Sequence, residues 1–328
     1  MLILDFMPRD LRIDILKGIG IIAVVCGHAM GGIGLREITI FHMPLFFILA
    51  GMFYKVKKGF IQSRVKRLLL PFLNYSLLFF VLLWFTGLNE KALSKFSIYH
   101  IAAFDGPTWF LIALFLISLI YYVLDRIIKK SLLLLAVTFG IGLIFASWDV
   151  NLPFYLRQAL FSLPFFAFGR FLPPPPPISE NKLIVEDCRS NLALYLAVIG
   201  AVITEYFCIS TSYVFDIYEL KYSEYPIMFY IGGISITYIL LRIPYFKKNT
   251  PLNRVLASMG VKSLEIMAIH APFLWFFKDF VYENNASLNS LYYGRYIANL
   301  FSFILVLILS YLLSLGVDEV KTLIRKSR

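Results

Sequence analysis

Charge is what this chain has least of, and its scarcity excludes more than any motif does. Asp, Glu, Lys and Arg together make up 16% of the 328 residues, against about 25% in an ordinary soluble domain. No polar interval is long enough to bury a core of its own. A separate soluble domain is therefore not expected, and residues 1–328 read as one unit. Cysteine is nearly absent. Of the three, Cys26 lies in an apolar segment, Cys188 in a polar loop and Cys208 near the end of another apolar segment. Cys188 and Cys208 are expected to face opposite sides of a bilayer, which argues against a disulfide framework. The signatures of several soluble enzyme classes are missing: there is no Gly-x-Ser-x-Gly elbow, no Walker loop and no dinucleotide fingerprint. No His/Cys pair has zinc-ligand spacing, so no metal is expected. No internal repeat stands out, which leaves a repeat-built transporter without direct support. Low complexity is confined to Pro173–Pro177, a stiff extended spacer. Asp14 and Lys17 interrupt the first apolar run and many further runs follow, so a cleavable signal peptide is not expected.

What the chain has in abundance is apolar length. Hydrophobic residues make up 59% of it and the mean hydropathy is +0.77. Ten apolar segments recur, at about 15–33, 40–54, 68–87, 108–124, 131–148, 156–172, 191–210, 226–242, 264–280 and 296–316. Most reach the ~17–25 residues a helix needs to cross a bilayer. The expected fold is all-α: a polytopic membrane protein of about ten transmembrane helices. In the short second segment, Pro44 and Gly51 predict an irregular or tilted helix, tolerable only where it packs inside protein. The net charge of +11 would suggest nucleic acid in a soluble protein. Here it divides by side instead. With ten spans, 24 of the 31 Lys and Arg fall on the side of the two termini, which places both termini in the cytoplasm. Nucleic acid is not expected as a partner, and the expected location is the inner (plasma) membrane.

The chain is organised around Arg12–Met30, RIDILKGIGIIAVVCGHAM. At 100° per residue, Lys17 and His28 lie on one face of a helix, about 16 Å apart along its axis. Asp14, Lys17, Ile21, Val24 and His28 form a single stripe. An ionisable residue within a span is costly and marks a functional candidate by default. No carboxylate sits on this stripe near His28, so a group that orients it must come from another helix. His42, at the start of the second segment, is expected to share an outward-facing cavity with His28. His270 lies inside the ninth segment with Glu265 nearer the cytoplasm; the two are five residues apart and need not face one partner. For His42 and His270 a helix-locking bond to a backbone carbonyl is as good a reading as a functional one. His100 reads as a solvated loop residue. Arg64 and Arg67, three apart at the foot of the third span, form a reasonable grip for a phosphorylated ligand, whereas Lys55–Lys58 read as topology and headgroup contacts. Trp109, at the outer start of the fourth span, reads equally as aromatic belt or as site. Loops 88–107 and 211–225, which carry aromatic and acidic residues, are candidate sugar readers.

Four stretches carry a resemblance: DILKGIGIIAVVCGH, FHMPLFFILAGMFY, RVKRLLLPF followed later by TWFLIALF, and SLEIMAIHAPF. With these, the sequence resembles the acyltransferase-3 family of integral-membrane O-acyltransferases, in the branch similar to fucose 4-O-acetylase. The resemblance implies an enzyme that takes an acyl group, usually acetyl, from acyl-CoA in the cytoplasm and passes it to a sugar hydroxyl beyond the outer face. It implies His28 as the catalytic histidine, with Asp14, His42 and Glu265 as supporting candidates from the reading above. Lys17, Arg64 and Arg67 would lie at the acetyl-CoA donor, and Trp109 and His270 would line the site. Lys17 stands where arginine is common, and Met267 where tyrosine is. The expected partners are acyl-CoA, an extracytoplasmic sugar or polysaccharide acceptor and the bilayer itself. His28 would act as general base on the acceptor hydroxyl or carry the acyl group itself; both routes stay open. A transporter or flippase for a lipid-linked glycan is the alternative, since it too needs many spans and buried polar groups.

Overall fold

In the computed structural model, which describes residues 10–30, 36–85, 107–148, 150, 152–172, 188–222, 224–243, 250–284 and 294–326, every regular element among the described residues is helical. In chain order these are α1 (Leu11–Met30), α2 (Arg36–Met52), the one-turn α3 (Phe60–Arg64), α4 (Leu70–Phe85), α5 (Trp109–Ile127) and α6 (Ser131–Ser147). Then follow α7 (Leu156–Phe171), α8 (Cys188–Thr211), α9 (Pro226–Arg242), α10 (Pro251–Val261), α11 (Ser263–Asn284) and α12 (Gly294–Lys326). A π-helical turn, Val65–Leu69, joins α3 to α4. Apolar chain in lipid has no other way to satisfy its backbone within a single segment. His100, Asp105, the proline run and the Cys188 side chain lie outside the described residues.

A helix stands at each of the ten apolar segments. Four are long and apolar enough to cross a bilayer, Leu11–Met30, Trp109–Ile127, Asn191–Thr211 and Tyr296–Gly316. Shorter apolar helices stand at Ile38–Met52, Ser131–Ser147, Pro226–Arg242 and Ser263–Phe277. Starts and stops follow local chemistry. Asp10 caps α1, its carboxylate accepting the Arg12 backbone N–H at 3.0 Å while also pairing with the Arg12 guanidinium. Thr250 caps α10 by accepting the Asn253 N–H at 3.2 Å, with Pro251 in the first helical position.

The bundle is assembled around α1, which packs on α2, α10, α11 and α12. Its apolar window is 61% buried, against 17% for the window in α8, the most exposed of these four helices. The contact with α10 is backbone on backbone. A Cβ on Gly18 would fall 2.0 Å from the Leu256 carbonyl oxygen, and one on Gly260 1.7 Å from that of Asp14. Only glycine permits this approach. Farther along, α7 packs on α2, α5 and α6.

α2 runs as one continuous helix with Pro44 inside it; Pro44 packs against Gly233 of α9 and Gly51 lets α2 meet the Phe166 carbonyl of α7, so this segment packs inside protein. Arg157, one of the seven Lys and Arg that the charge division assigns to the outer side, is buried at 4% exposure. It donates to the Phe145 and Ala146 carbonyls at 3.1 and 3.4 Å and so satisfies the C-terminus of α6. Cys188 opens α8 rather than lying in a loop, 20 residues from Cys208 on the same helix, a separation of about 30 Å that no disulfide bridges.

Candidate functional site

The last turn of α1 holds His28, and α11 crosses behind it. Their rings meet: His28 Nδ1 lies 2.9 Å from His270 Nε2, with ring centroids 5.1 Å apart. His270 Nδ1 in turn lies 3.1 Å from the carbonyl oxygen of Ile266, one turn earlier on α11. A carbonyl oxygen only accepts, so His270 Nδ1 carries hydrogen and Nε2 carries the lone pair. His28 must then donate from Nδ1, which assigns its own lone pair to Nε2. One backbone carbonyl thus sets the tautomer of two histidines 242 positions apart.

His28 is exposed to a cavity of about 260 Å³. α1 contributes Val24 and His28, and the start of α2 contributes Thr39, His42 and Met43. Trp109 opens α5, and α11 adds Met267, Ala271 and Trp275. The fourth wall is the loop before α9, with Asp216, Ile217, Tyr218 and Glu219. These are the C-terminal end of α1 and the N-terminal ends or approaches of α2, α5 and α9, so the cavity opens at one end of the bundle. His42 Nδ1 lies 2.9 Å from the Ile38 carbonyl, which puts its lone pair on Nε2 as well.

The loop is rigidly placed. An antiparallel bridge pairs Asp216 with Lys221, and Gln158 of α7 donates to the Tyr218 carbonyl at 3.2 Å. Tyr222 stacks on Phe161 at 3.5 Å between centroids, and Phe229 stacks on the same ring at 5.7 Å. Trp109, Tyr155 and Tyr218 form a triangle of rings with centroids 5.7–6.1 Å apart. Tyr155 reaches this position through two successive left-handed residues, Phe154 at φ 59° and Tyr155 at φ 58°. Such backbone costs about 1–3 kcal/mol per residue and persists only where packing over-determines it. Burial is the largest influence on Asp216 and pushes its carboxyl above the ordinary range; backbone N–H groups of Glu219 and Tyr218 and the charge of Lys221 pull the other way. Glu219 pairs with Lys221, and that bond raises the Lys221 ammonium.

Of the residues singled out in the sequence, His28, His42, Trp109 and His270 gather at or directly behind this cavity. Asp14, Lys17, Glu265, Arg64 and Arg67 do not line it. Lys17 pairs with Asp14 at 3.7 Å in the first half of α1. Glu265 accepts a hydrogen bond from Tyr75 of α4, so Glu265 and His270 do serve different partners. Arg64 ends α3 and Arg67 lies in the π-helical turn, so a change of helical pitch separates them; Arg67 remains among the charges acting on Arg64. The Arg64 guanidinium sits 5.0 Å above the Phe60 ring, Phe60 stacks on Tyr122 at 4.8 Å, and Arg126 covers Tyr122 at 4.3 Å. Beside this stack the buried Tyr54 hydroxyl has no hydrogen-bond partner among the described residues. Among the described residues no three His, Cys, Asp or Glu side chains converge as a metal site requires. Sequence reasoning missed Thr39, Trp275 and Tyr155 altogether; for Asp216, Tyr218 and Glu219 the acidic, tyrosine-rich loop was the available signal.

A sequence profile of the acyltransferase domain matches residues 10–317. Comparison with curated proteins and with solved structures gives no match. The matched span runs from the cap of α1 into α12 and takes in every residue of the cavity. The chain belongs to the acyltransferase-3 family and is a membrane acyltransferase.

Proposed function

We propose that this protein moves an acyl group, acetyl in the first instance, from cytoplasmic acyl-CoA to a hydroxyl of a cell-envelope polysaccharide or lipid-linked glycan, in the inner membrane, with ten spans and both termini in the cytoplasm. The observation that supports the reading is the chain from the Ile266 carbonyl through His270 to His28, which fixes the tautomer of a histidine that lines a cavity. The acceptor hydroxyl gives its proton to His28 Nε2 as its oxygen attacks the thioester carbonyl. The tetrahedral adduct collapses, the carbon–sulfur bond breaks, and the departing thiolate takes the proton back from Nε2. While protonated, His28 keeps its Nδ1–H on His270 and does not have to reorient. Lys17 and Asp14 stand about 16 and 21 Å down the same helix, toward the end proposed as cytoplasmic. Lys17, Arg64 and Arg67 suit the phosphates of the donor.

Family membership and this base favour a transferase over the transporter considered from sequence. The test is acetyl transfer from labelled acetyl-CoA to envelope glycan in membranes. His28→Ala should lower the rate by about 10²–10⁴-fold, the range of a lost general base. A folded His28→Ala protein with full activity would remove the assignment. Mass spectrometry of envelope glycans from a deletion strain identifies the acceptor.

A further inference from the structure

A second hollow, of about 460 Å³, shares no lining residue with the histidine cavity and is the larger of the two. α6 gives one wall, with Phe139 and Leu143, and α8 the other, with Leu196 and Gly200. α9 gives the floor, from Ile227 to Ser235. Two of its lining residues are polar. The Tyr230 hydroxyl is committed to the Phe161 carbonyl, to which it donates at 2.7 Å. Ser235 is buried where α9 crosses α8, so close that a Cβ on Gly200 would fall 2.5 Å from its Oγ. The rest of the lining is hydrocarbon side chain.

Exposed aromatic rings mark where the bilayer gives way to headgroups. Trp148 at the end of α6, Tyr206 on α8 and Tyr225 before α9 are all exposed, and such rings collect at that level. At 1.5 Å per residue the lining begins about 3 Å below these rings, at Ile227, and ends about 15 Å below them, at Leu196 and Ser235. One leaflet of hydrocarbon is about 15 Å deep, half of a core of about 30 Å. The hollow therefore spans a single leaflet, on the side where the histidine cavity opens. Its mouth faces outward through Leu196 and Ile227, which are 60% and 57% exposed.

We propose that this hollow binds one acyl chain of a bilayer phospholipid from that leaflet. An acyl chain is as long as its leaflet is deep, so it matches the hollow in length, whereas a polyprenyl chain is far too long to be contained. A flexible hydrocarbon chain makes dispersion contact along the whole lining. The floor also leads to the cavity: Tyr230 is bonded to Phe161, and Phe161 carries the Tyr222 ring that places the Asp216 loop. The bound chain braces that stack from the lipid side. The assignment does not depend on the reaction the protein performs.

The probe is a phosphatidylcholine with a diazirine in one acyl chain, diluted into phosphatidylcholine nanodiscs that hold the full chain, with labelled positions read by mass spectrometry. Ile231, half-buried in the floor, should take at least fivefold more label than Val202, which is 62% exposed on α8 and outside the hollow. Leu143→Trp and Ile227→Trp each fill the hollow from a different side and should remove the Ile231 label while leaving that of Val202. In detergent, added phosphatidylcholine should raise the midpoint of thermal unfolding more in the unsubstituted protein than in either variant. Label that follows exposure, with Val202 above Ile231, means ordinary bilayer contact and overturns the proposal. So does an Ile231 label that survives both substitutions, an equal thermal shift in all three proteins, or loss of the Ile231 label to a small fraction of added polyprenyl phosphate.

Discussion

His270 is fully buried and spends both ring nitrogens on protein, one on Ile266 and one on His28. In the proposed mechanism its role is to position, and its loss should differ from the loss of His28. His270→Ala frees the Nδ1–H of His28, so the imidazole can take either tautomer and either rotamer. We expect kcat to drop by roughly 10²-fold, at the low end of general-base effects, with KM for acetyl-CoA unchanged. His270→Gln, whose side-chain oxygen can accept from His28, should recover part of kcat. Steady-state kinetics on both variants decides it; an equal loss in KM would point to a structural role instead. At this scale the sequence spoke clearly for His28, because an ionisable group in an apolar run needs a reason. It was silent on the partnership, because no local pattern links residues 28 and 270. The placing of Asp216 was equally hidden: it depends on Tyr222 stacking on Phe161, a contact between a loop and a distant helix.

The helices themselves were legible, since each apolar run of sufficient length folded into one. Those missed were short and half-polar. α10 hides in a basic stretch, its start marked only by the Thr-Pro pair at 250–251. Yet α10 makes the most extensive contact with α1. Gly260→Val should therefore cost stability out of proportion to its size, about 1–3 kcal/mol or more for forced overpacking, read as a lowered midpoint in thermal unfolding of the detergent-solubilised protein. The π-helical turn was also invisible in the sequence. Its neighbour Arg64 is held over Phe60, and Phe60 is backed by Tyr122 and Arg126. Tyr122→Leu removes the backing ring. If Arg64 grips the donor, KM for acetyl-CoA should rise severalfold with kcat intact, as expected when uniform binding is lost.

At the scale of the whole molecule, the cavity is built from the end of α1, the start of α2 and the approaches to α5 and α9, which the charge division expects on the outer side. Labelling can test this. In a chain whose three native cysteines are replaced by serine, Glu224→Cys should react with an impermeant maleimide in intact cells, and Lys57→Cys only after permeabilisation. Reversed labelling would invert the topology and move the donor entrance to the other face. One feature at the centre also limits the energetics of the cell. The line of ring nitrogens that begins at His28 stops at a main-chain oxygen, which has no proton to pass on and no capacity to hold one. It is a dead end rather than a wire. If His28 is the base, each proton lifted from an alcohol leaves by the nitrogen it entered, and acylation is independent of the electrochemical gradient. Turnover in sealed proteoliposomes should then be the same with a protonophore present, or with an imposed membrane potential, as without.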